Sequence, residues 1–129
     1  MSAVNPRGWP RPRGYSNGMI GQGRVLAVAG QIGWNERGEF VSDTFLDQAA
    51  QALRNVLAVV HAAGGGASHI IRLTWYVTDK HAYRAAAREL GAAYREIMGE
   101  HYPPMTLVQV AALLEDRALV EIEATAVLP

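Results

Sequence analysis

The hydrophobic period of the chain changes at Gly64-Gly65-Gly66, and that change limits the folds open to it. Before the glycines, Leu46, Ala49, Leu53, Val56, Leu57 and Val60 recur at helical spacing behind the cap candidates Ser42, Asp43 and Thr44. After them, Ile71, Leu73, Trp75 and Val77 alternate with Arg72, Thr74, Tyr76 and Thr78, the period of a strand over residues 69–78. A second helical stripe, on Tyr83, Ala86, Leu90, Tyr94 and Ile97, starts near Asp79 and should stop at Gly99 before Pro103-Pro104. Two closing strands, residues 105–113 and 118–128, flank the polar turn Glu115-Asp116-Arg117. Upstream, a run from Met19 breaks at Gln22-Gly23 and resumes at Val25, which predicts a hairpin whose second strand is buried on both faces. A turn is expected at Asn35-Glu36-Arg37-Gly38. The order strand, strand, helix, strand, helix, strand, strand suits an α+β layer, two helices on one face of a mixed sheet.

A chain of 129 residues, half of them apolar, suffices for one core. Residues 1–12, with Pro6, Pro10 and Pro12 beside Arg7 and Arg11, read as an extended arm ahead of a single domain at 13–129. Twelve basic residues balance twelve acidic ones, so no net field draws the chain to nucleic acid or to an anionic membrane. The absence of cysteine excludes disulfides, thiolate metal sites and a cysteine nucleophile. With neither a signal-like apolar core nor a run of about 18 apolar residues, the expected location is the cytoplasm.

The last strand carries Val120, Ile122, Ala124 and Ala126 on one face, which should receive the helices. Its other face bears Leu119, Glu121, Glu123, Thr125 and Val127, and the parity of the preceding strand is expected to add Met105, Leu107 and Gln109. Such a face is too apolar for a free sheet surface and too polar for a core, and calls for cover by another subunit.

Few residues announce chemistry by spacing. His61, His69, His81 and His101 stand at no metal-ligand spacing. Gly21-Gln22-Gly23 and Gly64-Gly65-Gly66 lack the context of a phosphate loop. Arg84, Arg88 and Arg95 share one side of the second helix, where a solvated face is expected. Ser16, Ser42 and Ser68 lie in no nucleophile-elbow pattern.

Taken together, Gly14-Tyr15-Ser16, Ala29-Gly30-Gln31-Ile32, Gln48 and Asn55, Tyr102-Pro103-Pro104-Met105-Thr106 and Val120-Glu121-Ile122-Glu123-Ala124 resemble, in order and spacing, the signature segments of the Rid/YjgF family. The resemblance implies a chorismate-mutase-like fold and a homotrimer whose sheets face inward, with small-molecule clefts between subunits. It implies hydrolysis of enamines and imines, such as those derived from 2-aminoacrylate, to a ketoacid and ammonia without cofactor or metal. An older family label, endoribonuclease, implies ribonuclease activity, against which the balanced charge and the lack of an adjacent histidine pair speak.

On that resemblance Tyr15 and Glu121 are the catalytic candidates, since a hydroxyl and a carboxylate can orient and deprotonate a water. Ala29, Gly30, Gly91, Met105, Thr106, Leu107 and Gln109 are the candidate substrate-binding positions. Met105 stands where active members carry a carboxylate-binding arginine, Ala29 replaces a serine and Gly91 an asparagine. Losing such a charge-assisted contact costs about 1.5–3 kcal/mol, one to two decades of affinity. The resemblance thus leaves two readings, an imine hydrolase with an altered ligand or a non-catalytic ligand-binding homotrimer. Arg11 and Arg13 in the arm are the candidate replacement cations.

Overall fold

Thr44 starts the first long element: its backbone is extended and its hydroxyl accepts from the Asp47 N–H, capping helix α1, Phe45–Ala62. In the computed structural model, which describes residues 1–129, this helix lays Leu53, Val56 and Val60, all fully buried, on a four-stranded sheet. Each such side chain contributes about 1.5–3 kcal/mol when buried. The sheet comprises β3 (Arg24–Gln31), β4 (Ile70–Val77), β5 (Met105–Gln109) and β6 (Val120–Leu128), in the order β3-β6-β4-β5. β4 and β5 pair in parallel and the other neighbours are antiparallel, so the sheet is mixed, as expected. The helical face carries Val120, Ile122, Ala124 and Ala126 of β6 in one core with α1, as their alternation predicts. No helix is long and apolar enough to cross a membrane.

The structure corrects the sequence reading at several points. The single second helix is two, α2 (Lys80–Ala85), capped by Asp79, and α3 (Ala87–Met98), separated at Ala86. No glycine or proline marks the break, so residue type did not disclose it. The expected hairpin does not form: β2 (Gly18–Ile20) pairs with β1 (Ser2–Val4) of the arm, whereas β3 pairs with β6. Nor is β3 buried on both faces, because it is an edge strand whose Val25 is 73% exposed. In β4 a bulge between Ile70 and Arg72 puts Ile70 in the core in place of Ile71.

The correction of most consequence concerns β5. Because Leu73 pairs with Met105, Trp75 with Leu107 and Val77 with Gln109, these three β5 residues share the helical face. Met105 and Leu107 pack on the core, and Thr106 and Val108 occupy the open face instead. The parity of β5 relative to β6 is set by the intervening strand β4, which alternation within β5 alone does not report.

Candidate functional site

On the helical side of the sheet, between β4, β5, the α2–α3 pair and the returning arm, lies a cavity of about 660 Å³. Trp75 and Met105 line it from the sheet, and Tyr83, Leu90, Gly91 and Arg95 from the helices. Arg13, Gly14 and Tyr15 bring the arm to its mouth, beside Tyr102. Gly14 has φ +74, a conformation glycine adopts without cost, and two residues later the Ser16 hydroxyl donates to the Tyr102 carbonyl at 2.7 Å. That bond ties the arm to the segment leading into β5.

Aromatic contacts set the shape of the cavity. Tyr94 and Tyr102 stack with centroids 5.4 Å apart, and Trp75 meets Tyr83 edge-on at 6.1 Å. The Tyr94 hydroxyl donates to the His101 carbonyl at 2.6 Å, and burial, with Tyr102 beside it, pushes that hydroxyl above the ordinary phenol range. Four of the five tyrosines line this one cavity.

The sheet divides the sequence-derived candidates. Tyr15, Gly91, Met105 and Arg13 converge on the cavity. Glu121 stands on the open face, opposite Tyr76 of β4, beside Gly30 of β3. A Cβ built on Gly30 would lie 2.3 Å from the Glu121 Oε2, so the carboxylate rests directly on the glycine backbone. Ala29, next to it, is exposed at the irregularity between Val28 and Gln31. Thr106 takes a 3.4 Å bond from Arg72 on the open face, Leu107 packs on the core, and Gln109 accepts from the Lys80 N–H at 2.9 Å, at the start of α2.

The two carboxylates of β6 differ in their partners. Glu123 accepts the Tyr76 hydroxyl at 2.5 Å, and this bond, with burial, raises the tyrosine above its ordinary pKa. The Glu121 carboxylate makes neither a hydrogen bond nor an ion pair within the chain, which leaves its oxygens for a water or a ligand. Gly30→Ala is therefore expected to displace the Glu121 carboxylate while leaving the melting temperature nearly unchanged, since Gly30 is exposed and its φ is not positive. An activity loss of at least about tenfold at constant thermal stability is the outcome to look for.

Sequence reasoning missed Trp75, Tyr83, Tyr94, Tyr102 and Arg95 as cavity residues. Tyr83 and Tyr94 fall on the core stripe of the helices and Trp75 on the buried face of β4, so their spacing signalled packing alone. The concentration of tyrosine in residues 76–102 was the one available hint.

Comparison with known proteins agrees with the fold. The family model described as Endoribonuclease L-PSP matches residues 10–128. A RutC family protein of Pyrococcus horikoshii is 35% identical over 118 residues, covering 91% of this chain and 90% of that protein. A 2-iminobutanoate/2-iminopropanoate deaminase of Salmonella typhimurium is 33% identical over 108 residues, 81% of this chain and 80% of the relative. Among solved structures, the Rid-family protein YyfB of Yersinia pestis superposes with a TM-score of 0.84 at 33% identity, over 98% of each chain. The structure of Escherichia coli TdcF with bound serine has a TM-score of 0.73 at 32% identity, over the full length of both. The chain therefore belongs to the Rid/YjgF family, as the sequence resemblance implied.

Proposed function

We propose that this protein hydrolyses a small imine or enamine metabolite to a carbonyl compound and ammonia, in clefts formed between the subunits of a homotrimer. The observation that carries the reading is the division of the candidates by the sheet. Tyr15 lines the cavity on the helical side, whereas Glu121, with no partner of its own, faces the open side at Gly30. Joining the two in one site requires the Glu121 edge of one copy to meet the cavity mouth of another. The open face offers apolar surface for that contact, with Val108 41% exposed near Glu121 and Val25 73% exposed opposite Val127 at the other end of β6. The deaminase name of a relative supports the reaction class.

In this arrangement Glu121 takes a proton from water as the water oxygen bonds to the imine carbon, and the π pair of the C=N bond moves to nitrogen. Tyr15 donates a hydrogen bond to the nitrogen as it gains charge. The nitrogen takes the proton held by Glu121, which gives the carbinolamine; this then collapses, the C–N bond breaking as the hydroxyl oxygen forms the carbonyl, and the hydroxyl proton passes through Glu121 to the departing nitrogen, which leaves as ammonia. The uncharged Met105 in the cavity favours one second reading, a trimer that binds its ligand without turning it over. Ammonia release from freshly generated imines, followed alongside light scattering, separates the two. Turnover above the buffer rate by a trimer supports the hydrolase, and a trimer without turnover supports the binder. A stable monomer would remove the intersubunit cleft from both.

A further inference from the structure

We propose that the cavity takes a carboxylate-bearing ligand with a flat, aromatic-sized substituent, its carboxylate held by Arg95 and Arg13 and its ring by the tyrosine and tryptophan walls. The inference rests on reading this cavity as the substrate site and names the class of compound it accepts.

Size and wall chemistry come first. The cavity of about 660 Å³, open at its mouth in the single chain, has room for more than a three- or four-carbon imine. Its surfaces are the aromatic faces and edges of Trp75, Tyr83, Tyr94 and Tyr102, with the thioether of Met105 among them. Aromatic walls favour stacked or edge-on rings, and a methionine sulfur contributes further at a ring edge. A short aliphatic substituent would leave most of that surface without contact.

Charge comes second. The lining contains two arginines and no carboxylate, and the chain's two ion pairs, Arg37 with Glu39 and Arg117 with Asp43, involve neither of them. Arg95 is folded back along α3, its terminal nitrogen 3.6 Å from where a Cβ on Gly91 would stand. The small residue at 91 thus leaves the guanidinium room beside the cavity. Arg13 reaches the cavity on the arm that Ser16 ties down. Arg13 and Arg95 are both exposed, and two unpaired guanidinium groups beside an aromatic surface suit a planar carboxylate, which each can grip through paired N–H donors.

Trp75 is 2% exposed, and its indole Nε1, the chain's one buried side-chain donor without a hydrogen-bond partner, is sealed from the cavity, so this residue offers a ligand only its ring.

The test uses phenylpyruvate, pyruvate and phenylacetone with the full-length protein in titration calorimetry. Phenylpyruvate combines ring and acid, pyruvate keeps the acid without the ring, and phenylacetone keeps the ring without the acid. Phenylpyruvate should bind at least about tenfold more tightly than either of the others. Arg95→Gln should weaken phenylpyruvate by about ten- to a hundredfold and leave phenylacetone unchanged. Equal binding of pyruvate and phenylpyruvate, equal losses for both ring compounds in Arg95→Gln, or no binding of phenylpyruvate at millimolar concentration would each overturn the proposal. Binding is read without turnover, so a failure here leaves hydrolysis by Glu121 standing. A protein that binds phenylpyruvate but hydrolyses no imine overturns only the hydrolytic reading.

Discussion

Replacing Glu121 by Gln is expected to lower imine hydrolysis by about two to four orders of magnitude, the usual contribution of a general base, while the trimer stays assembled. The substitution keeps the shape of the side chain and its fit against Gly30, where the Glu121 oxygen lies too close for any Cβ. It removes only the negative charge and the capacity to accept a proton. The same exchange at Glu123 serves as the contrast, because that carboxylate is already engaged by the Tyr76 hydroxyl at 2.5 Å. Glu123→Gln retains an oxygen acceptor for the tyrosine and should cost less than about tenfold. Steady-state rates on one imine, with light scattering on the same samples, decide the matter. If Glu121→Gln retains full activity, the base lies elsewhere; if the trimer dissociates with it, Glu121 is a structural residue.

The largest effect on stability should come from Gln48→Leu, at about 3–5 kcal/mol. Gln48 is fully buried in the first turns of α1, and its amide serves three backbone groups at once. Its Nε2 donates to the Ser42 and Arg117 carbonyls at 3.0 and 3.1 Å, and its Oε1 accepts from the Leu119 N–H at 2.8 Å. Leucine has nearly the same volume, so no cavity opens, but all three part-buried groups lose their partner, at about 1 kcal/mol or more each. Set beside a typical total of about 5–15 kcal/mol, that loss is severe. The neighbouring ion pair of Asp43 with Arg117 is the control: its side chains are 82% and 57% exposed, so Asp43→Ala should cost under about 1 kcal/mol. Urea unfolding of both variants checks the pair of values. A Gln48→Leu loss no larger than that of Asp43→Ala would show that the loop entering β6 is held by something else. That loop places the strand bearing Glu121, so activity should fall with stability.

How much of this was legible in the sequence depended on whether the information was local. The period of α1, the turn at Asn35 to Gly38 and the alternation of β6 all depend on neighbours in the chain, and the structure shows each as read, while of the cap candidates Ser42, Asp43 and Thr44 it selects Thr44. The errors arose where a distant partner decides. Val25 is exposed because β3 lies at the sheet edge, and Met105 faces the helices because β4 sets its register. The break at Ala86 lies within an alanine run that favours helix, so no residue type disclosed it. At the site, Tyr15, Gly91 and Met105 were reached through family spacing, and the structure brings them to one cavity. Arg95 was read as solvated and is exposed, but that it also borders the cavity was not legible, because helical periodicity reports which face a residue occupies and not what a second element places opposite it. The orphaned Trp75 donor was illegible for a similar reason, since a missing hydrogen-bond partner is a property of the packed core alone.

Mixed trimers test the central claim, a site built from the Tyr15 edge of one copy and the Glu121 edge of another, most directly. Glu121→Gln and Tyr15→Phe homotrimers are each expected to be nearly inactive. Unfolded together in equal amounts and refolded, they form trimers in which some interfaces join an intact Tyr15 to an intact Glu121. Random cyclic assembly makes about a quarter of the interfaces fully native in this sense, so the mixture should recover about a quarter of the native rate. A mixture no more active than its parents, from samples that light scattering shows to be mixed trimers, would place both residues in a site within one chain and contradict the account.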